Sequence, residues 1–331
     1  MRVRARSRWL GAGGLLLVAL LTGCASSNGP VNLPIMSAAN PIVPVGASAA
    51  PNTTAPAASN CGNPTASLRP PASMPSPGQM PAGSTMAKIQ ARGYLIAGVD
   101  QNTFLFGYRN PKTNTIEGFD IDMARYIAKA IFGDPSKVEF KAITSAQRVP
   151  ELQSGGVDVV ARTMTISCDR LSQVGFSTVY YEANQRLLVP ATSDVTSIDQ
   201  LGGKKICAAS GSDSLGHIAA VSTHPKPIAV GDWSDCLVML QQGEVAGVST
   251  DDTILAGMVA QDANTKIVGP SIADEPYGIA MPKQDTDMVS FVNGVLDDVR
   301  SSGEWANSYH YWIGNRIAGG SDQPPSPQYS N

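Results

Sequence analysis

The sequence predicts an α/β protein with two domains. Residues 86–314, about 230 in number, are enough for two domains of ordinary size. Within them, short apolar runs typical of buried strands alternate with longer amphipathic stretches typical of helices. The apolar runs are 94–99, 157–162, 186–189 and 205–208, and the helical stretches are 146–154, 232–242 and 286–301. Such alternation is typical of α/β units around mostly parallel sheets.

The composition is typical of a globular protein that does not bind nucleic acid. Hydrophobic residues make up 43% of the chain and charged residues 15%. The formal net charge is -3 at pH 7, whereas a protein that neutralises phosphates needs a basic surface. We therefore exclude nucleic acid as a partner.

The N-terminus has the parts of a secretory signal peptide. Four arginines precede an apolar run over 10–21, which is shorter than the ~20 residues that cross a bilayer. The run leads into Leu-Thr-Gly before Cys24, a motif that resembles the bacterial lipobox. We expect a signal peptide over 1–23, cleavage before Cys24 and lipid modification of its thiol. A plain signal peptide with an incidental Cys24 is the alternative.

Two further segments lack the pattern of a folded domain. Residues 24–85 are rich in Pro, Ser and Ala, and they show no apolar periodicity that a core could bury. We expect them to form a semi-extended tether between the lipid and the folded body. The Pro-rich tail over 315–331 has the same character and is expected to be disordered.

Residues 118–131 carry the most informative pattern, Gly-Phe-Asp-Ile-Asp followed by an apolar helical stretch. Asp120 and Asp122 fall where the helix begins, so their carboxylates can accept free backbone N–H groups and oppose the positive end of the helix dipole. The later apolar residues repeat at helical spacing and predict one packed face.

This run resembles the signature of the polar-amino-acid solute-binding proteins of family 3, which serve bacterial ABC importers. The resemblance extends to the glutamine-binding lipoproteins of actinobacteria and covers about residues 88–314. Four further segments occur in the order of that family: 148–158, 163–181, 210–214 and 249–255.

The resemblance implies a periplasmic-binding-protein type II fold with two lobes and the ligand in the cleft between them. Lobe 1 is expected over 86–189, lobe 2 over 190–276, and a return segment of lobe 1 over 277–314. The two hinge crossings are expected near 187–190 and 275–278.

Four cysteines remain after Cys24, an even number in an oxidising compartment. Three pairings are possible. We predict Cys207–Cys236 within lobe 2 and Cys61–Cys168 between the end of the tether and the binding loop. No metal site is expected, because Cys-x-x-Cys spacing is absent from the sequence and the three histidines are scattered. No cofactor is expected either.

The resemblance assigns the ligand's backbone groups to three side chains. Arg170 is expected to clamp the α-carboxylate through two parallel hydrogen bonds, and Thr165 to add its hydroxyl. A surface salt bridge of Arg170 with Asp169 or Asp120 is the alternative. Asp251 is expected to accept from the α-ammonium. Asp252 follows directly in the sequence, and which of these two carboxylates faces the ligand stays open.

Two positions depart from the family pattern. Thr163 stands where glycine is common in the family, and Arg162 stands where alanine is common. Arg162 either pairs with a side-chain carboxylate of the ligand, which favours glutamate or aspartate over glutamine, or neutralises Asp158 or Asp169. The sequence does not decide between these roles.

Further ligand contacts are expected on both lobes. Ser212 and Ser214 follow a strand and precede a helix, where free N–H groups and hydroxyls can receive a carboxylate or simply cap the helix. Asp100, Phe106 and Tyr108 follow the first strand, where the family has a polar contact and an aromatic wall. Phe106 as a core residue is the alternative.

Together these features predict a monomeric receptor on the extracytoplasmic face of the cell membrane, anchored by lipid. Its ligand is expected to be glutamate, aspartate, asparagine or glutamine, delivered to the permease subunits and ATPase of an ABC importer. An amino-acid sensor subunit of a membrane signalling protein is the alternative. An enzyme such as a dehydratase is a weaker alternative, because catalysis needs a titratable group beside the ligand. The candidates His217 and His224 are expected on a helix face and in a loop beside Pro225.

Overall fold

The structure is a computed structural model that describes residues 43–50, 53–54, 61–317 and 320–330. The predicted signal peptide, the lipid anchor at Cys24 and much of the predicted tether lie outside these residues. Within the described ranges, the helices all fall short of the length and apolar character that spanning a bilayer requires.

Strands and helices are numbered in chain order. The strands are β1 (Ser48–Ala49), β2 (Leu95–Val99), β3 (Asn102–Thr103), β4 (Gly107–Arg109), β5 (Ile116–Glu117), β6 (Val138–Ala142), β7 (Val159–Val160), β8 (Val174–Phe176), β9 (Tyr181–Pro190), β10 (Lys205–Ala209), β11 (Lys226–Val230), β12 (Gly247–Asp251), β13 (Thr265–Tyr277) and β14 (Ala280–Pro282). The helices are α1 (Thr85–Arg92), α2 (Phe119–Phe132), α3 (Arg148–Gln153), α4 (Cys168–Gln173), α5 (Ser214–Ala220), α6 (Trp233–Gln241), α7 (Asp252–Gln261), α8 (Thr286–Ser301) and α9 (Glu304–Trp312). Short 3-10 turns occupy Ser145–Gln147, Ile198–Leu201 and Gly314–Arg316.

Lobe 1 is organised around a five-stranded sheet in the order β6-β2-β7-β14-β8. Strand β2 runs parallel to its neighbours β6 and β7, whereas β14 runs antiparallel to β7 and β8. A small antiparallel sheet, β3-β4-β5, lies before α2 in the chain. The apolar face of α2 packs into the lobe 1 core together with residues of α8 and α9.

Lobe 2 is organised around a six-stranded sheet in the order β1-β11-β10-β12-β9-β13. Strands β11, β10 and β12 are parallel, whereas β9 and β13 run antiparallel to their neighbours. The expectation of mostly parallel sheets therefore holds for β6, β2 and β7 of lobe 1 and for β11, β10 and β12 of lobe 2. Antiparallel pairs arise where the strands that leave and re-enter lobe 1 join the lobe 2 sheet, and where β14 returns to lobe 1.

Strands β9 and β13 form the hinge. They pair antiparallel from Tyr181 opposite Tyr277 to Pro190 opposite Thr265. Tyr181 and Tyr277 are buried in the lobe 1 core, whereas residues 187–189 are buried in the lobe 2 core. Two strands thus connect the lobes, as expected, but residues 187–189, where the first crossing was predicted, already lie in the lobe 2 core.

Two disulfides are present among the described residues, and both are the predicted pairs. Cys61 bonds to Cys168 with 5.7 Å between their Cα atoms, and Cys207 bonds to Cys236 with 5.5 Å. Cys168 is the first residue of α4, while Cys207 and Cys236 join β10 to α6 inside lobe 2. The first bond therefore fixes the end of the predicted tether to lobe 1.

Residues 61–84 lie against lobe 1, although the sequence assigns them to the tether. The buried Ser67 hydroxyl donates to the carbonyl oxygen of Phe176 at 2.6 Å. The Asn293 amide donates to Ser67 Oγ at 2.8 Å and to the carbonyl oxygen of Leu68 at 2.6 Å. A Pro-rich composition forbids a helix, yet it leaves extended backbone that hydrogen bonds can hold. The domain boundaries themselves stay predictions.

The described part of the Pro-rich tail is also held against lobe 1 by hydrogen bonds, whereas disorder was expected for it. Tyr329 forms an isolated parallel bridge with Ser67, and its hydroxyl donates to Asp297 Oδ2 at 2.6 Å. Residues 320–330 thus return along lobe 1 beside residues 61–84.

The helix start predicted from the family signature is also a tertiary anchor. Gly118 precedes α2 with φ +142°, and a Cβ atom there would lie 2.2 Å from the carbonyl oxygen of Phe106. Asp122 Oδ2 accepts from the Ser308 hydroxyl and the Trp312 indole, each at 2.7 Å. This carboxylate therefore attaches α9 to α2.

Candidate functional site

The cleft between the lobes contains a small cavity whose walls come from both sides. Its volume is about 10 Å³, close to the size of one water molecule, so an amino acid enters only when the lobes separate. Larger cavities of about 310 and 720 Å³ lie elsewhere, beside the tail and near the Cys61–Cys168 disulfide. The cleft walls are Ser145, Arg148, Thr163 and Thr165 of lobe 1 and Ser212, Ser214, Trp233, Asp251 and Ile254 of lobe 2.

Arg170 adjoins these walls from α4 and is 7% exposed. Its Nη1 donates to the carbonyl oxygen of Thr165 at 2.8 Å and lies 2.8 Å from Asp213 Oδ2 of lobe 2. Its Nη2 donates to the carbonyl oxygen of Gly211 at 3.2 Å. The ion-pair partner of Arg170 is thus Asp213 of lobe 2, and not Asp169 or Asp120 as in the surface salt bridge that the sequence offered as the alternative.

Arg148 is a second buried guanidinium in the cleft, and sequence reasoning did not single it out. It donates to the carbonyl oxygens of Ser145, Arg162, Thr163 and Gly211 at 3.0 to 3.3 Å. Among the ion pairs of the described residues, none involves Arg148. Burial lowers the pKa of Arg148, and the charges of Arg170 and Arg162 lower this pKa further.

Thr163 and Thr165 belong to the lobe 1 wall of the cleft, and Thr165 connects this wall to the hinge strand β13. The backbone N–H of Thr163 donates to Asp120 Oδ2 at 2.8 Å, and Asp120 Oδ1 accepts from the Tyr180 hydroxyl at 2.6 Å. The Thr165 hydroxyl donates to the buried Glu275 of β13. Burial raises the pKa of Asp120 to about 7, although both hydrogen bonds oppose this rise.

Asp251 is the carboxylate that lines the cavity. Its Oδ2 accepts from the Tyr277 hydroxyl at 2.5 Å. Burial raises the pKa of Asp251, because a buried site disfavours the charged form of a carboxyl group. The negative charge of nearby Glu275 raises this pKa further, because it repels a second negative charge. Asp252 does not line the cavity, and its Oδ1 accepts from the backbone N–H of Asn184 at 3.3 Å. A cationic group near Asp251 would restore its ionised form.

The loop 210–214 of lobe 2 approaches lobe 1 closely. Ser212 donates to the carbonyl oxygen of Ala209 at 2.7 Å, and Ser214 donates to the Thr250 hydroxyl at 3.2 Å. Gly211 has φ +77°, and a Cβ atom there would lie 2.6 Å from Ala146 Cα. The two lobes can therefore meet this closely only because residue 211 lacks a side chain.

Besides Arg170, which only adjoins the cavity, four residues predicted to contact the ligand do not line it: Asp100, Phe106, Tyr108 and Arg162. Arg162 is fully buried and pairs with Asp100 at 2.9 Å, so neither is available for the side-chain role expected of Arg162. Asp158, one of the two carboxylates that Arg162 was expected to neutralise, pairs with Arg92 instead. Phe106 lies in the aromatic core against Phe119, Tyr181 and Tyr277, which agrees with the core alternative.

Tyr108 also lies away from the cleft. Its hydroxyl donates to Glu117 Oε1 at 2.6 Å, and its ring packs edge-on against Trp312. The sequence placed Tyr108 near the ligand because it follows the first strand. The small β3-β4-β5 sheet instead turns this side chain toward α9.

Comparison with known proteins identifies the family. Residues 95–315 match the bacterial extracellular solute-binding proteins, family 3, over about two thirds of the chain. The chain belongs to this family. This confirms the resemblance based on residues 118–131 and the expected two-lobed α/β fold.

Several relatives of this solute-binding protein have named ligands. The ABC transporter glutamine-binding protein GlnH of Bacillus subtilis (strain 168) is 38% identical over 230 residues, covering 69% of this chain and 84% of the relative. The glutamate-binding protein GluB of Corynebacterium efficiens is 29% identical, covering 69% and 81%. An ancestral arginine-binding protein solved with glutamine is 35% identical with a TM-score of 0.63, covering 68% and 99%. These names span neutral, acidic and basic amino acids.

In open α/β sheets, ligands generally bind beyond the carboxyl ends of the parallel strands, and this rule points to a residue that the sequence analysis did not single out. The parallel strands β10, β11 and β12 lead into the 210–214 loop, Trp233 and Asp251, all on the cleft side of lobe 2. Trp233 begins α6 directly after β11 and a two-residue turn.

No group of three or more His, Cys, Asp or Glu side chains suited to holding a metal ion occurs in the described part of the chain. In the hinge, His217 Nδ1 lies 3.2 Å from Glu275 Oε1. His217 also contacts Gln185 Oε1 at 2.7 Å, which places it in the wall of the hinge.

Proposed function

We propose that this protein is a lipid-anchored extracytoplasmic receptor that binds a polar or acidic L-amino acid and delivers it to an ABC importer. The expected ligands are glutamate, aspartate, asparagine and glutamine. The protein is proposed to act by reversible binding in the cleft, without chemical change of the ligand.

The observation that carries this proposal is the pair of opposite charges at the cleft. Arg170 of lobe 1 is a buried guanidinium suited to a carboxylate, and Asp251 of lobe 2 is a buried carboxylate suited to an ammonium group. An α-amino acid carries both groups on one carbon atom. One amino acid that contacts Arg170 and Asp251 at the same time must hold the two lobes together. Ligand binding therefore favours the closed arrangement of the lobes.

Glutamine-binding and glutamate-binding names among the relatives support the ligand class. Delivery to an importer is supported by the B. subtilis relative, which is named as part of an ABC transporter. Anchoring at Cys24 rests on the lipobox-like sequence alone, and mass spectrometry of the membrane-extracted protein tests it.

A thermal-shift screen of the twenty L-amino acids tests the ligand class. A ligand that binds only the native state raises the melting temperature, and the rise grows with the ratio of concentration to Kd. We expect the largest rises for the four named amino acids. No rise with any amino acid contradicts the proposed function.

Two further measurements separate the proposed function from its alternatives. Recovery of the unchanged amino acid, checked by NMR after prolonged incubation, excludes a dehydratase. Co-purification from membranes with permease subunits, and not with a signalling protein, distinguishes transport from sensing.

A further inference from the structure

The Trp233 side chain has an unusual hydrogen-bonding status. It lines the cleft cavity, is 3% exposed, and its Nε1 lacks an acceptor among the described residues. The other two described tryptophans are satisfied: Trp305 donates to the carbonyl oxygen of Tyr180 at 2.8 Å, and Trp312 donates to Asp122. A buried donor without a partner is costly and therefore rare in native proteins.

Thr163, on the opposite wall of the same cavity, is unusual in both its backbone conformation and its hydrogen bonding. Its φ is +40°, a left-handed conformation that is strained for a β-branched residue. Its hydroxyl oxygen is buried and also lacks a partner among the described residues. The Asp120 carboxylate holds the backbone of Thr163 in place. A threonine kept where glycine fits better suggests a use for its hydroxyl.

We propose that Trp233 Nε1 and Thr163 Oγ1 form a donor pair, one from each lobe, that recognises an oxygen atom of the ligand's side chain. This inference rests on the proposed function, since Arg170 and Asp251 are assigned to the backbone groups of the same amino acid. An indole N–H can only donate, so the pair requires an acceptor such as a carboxylate or carboxamide oxygen. Ammonium and guanidinium side chains have no acceptor and are rejected.

The charge of the cavity wall agrees with this selection. Arg148 lines the same cavity, is 3% exposed and is held by four carbonyl oxygens instead of a carboxylate. Its positive charge opposes a cationic side chain and favours an oxygen-bearing one. The donor pair therefore separates this protein from relatives that are named for binding arginine.

A matched pair of tryptophan variants tests the proposal. Trp233→Phe removes the N–H and keeps an aromatic ring, while Trp305→Phe makes the same change in the lobe 1 core. Titration calorimetry with L-glutamate, L-glutamine, L-asparagine and L-aspartate should show roughly tenfold or greater weakening of the tightest ligand in Trp233→Phe. Trp305→Phe should change that Kd by less than about twofold.

Thr163→Gly is a second test, in which stability and ligand affinity should change in different directions. Glycine relieves the backbone strain, so the melting temperature of the ligand-free protein should stay the same or rise, while the affinity for the same ligand falls several-fold. A purely structural threonine would leave the affinity unchanged.

The outcomes separate this inference from the proposed function. If wild-type protein binds none of the twenty amino acids, the proposed function itself fails. If wild-type protein prefers L-arginine or L-lysine, or if Trp233→Phe binds the tightest ligand as well as wild type does, amino-acid binding stands and the donor pair is overturned.

Discussion

Arg170 of lobe 1 and Asp213 of lobe 2 form an ion pair across the cleft, with 2.8 Å between Nη1 and Oδ2. Arg170 is almost fully buried, whereas the Asp213 side chain is 26% exposed. The same guanidinium is the proposed clamp for the ligand's α-carboxylate. The protein therefore supplies its own carboxylate at the position where the ligand's carboxylate is expected.

Arg170→Ala should abolish amino-acid binding. The change removes a charge-assisted contact that is proposed to be bidentate, so we expect roughly a hundredfold or greater loss of affinity in titration calorimetry. Arg92→Ala, which removes the surface partner of Asp158, is the control and should leave affinity unchanged. Equal affinity in the Arg170 variant and wild type would contradict the site.

Asp213→Asn should strengthen binding. The ligand's carboxylate must displace Asp213 from Arg170, and an amide competes less well for a guanidinium than a carboxylate does. We expect a Kd about threefold to tenfold lower by calorimetry. Asp169→Asn makes the same change on the exposed side of α4 and should have no effect. A weaker Kd in the Asp213 variant would mean that the pair chiefly holds the lobes together.

The sequence was sufficient for the parts of the fold that depend on local pattern. The helix after Gly118, the two disulfides and the two crossings follow from spacing along the chain and from the family resemblance. The partners of Arg162 and Arg170 could not be predicted, because Asp100 and Asp213 reach them only through tertiary packing and lobe contact.

Trp233 illustrates the same limit in another way. An isolated tryptophan at a helix start predicts a core residue, and Trp233 does pack in the lobe 2 core. Its unsatisfied indole and its position in the cleft wall become visible only when both lobes are in place.

Gly211→Ala should hinder closure of the lobes. Its added Cβ would lie 2.6 Å from Ala146 Cα, and φ +77° is itself unfavourable for alanine. Gly203→Ala is a matched control, since residue 203 has φ +71° and nothing within 4 Å of its added Cβ. Both variants should lose about 1 kcal/mol of unfolding free energy. Only Gly211→Ala should weaken ligand binding and reduce the ligand-induced compaction seen by X-ray scattering.

Asp120→Asn should change how stability depends on pH. The pKa of Asp120 is about 7 in the folded protein and ordinary when unfolded, so the native state binds the extra proton between these values. The contribution of Asp120 to the free energy of unfolding is therefore present at low pH and falls as pH rises from about 4 to 7.

Urea unfolding of ligand-free wild-type and Asp120→Asn proteins at pH 4, 5.5, 7 and 8 measures this. The stability difference, wild type minus variant, should decrease between pH 4 and 7 and level off near pH 8. Other acids with raised pKa values, such as Asp252, are common to both proteins and cancel in the difference. A difference that is constant over this range would contradict the raised pKa.

The contacts of the segment before the body determine how a pulling force would enter the protein. Tension applied from the N-terminal side acts first on β1. This strand pairs with β11 over only two residues, so it detaches easily. It then meets the Cys61–Cys168 bond, which transmits the load covalently into α4, two residues before Arg170. The stretch from 62 to 167 is thereby shielded from unravelling while the bond is intact, and single-molecule extension with and without reductant would show this as a longer release on reduction. Mechanical strain on the tether is thus delivered beside the proposed carboxylate clamp.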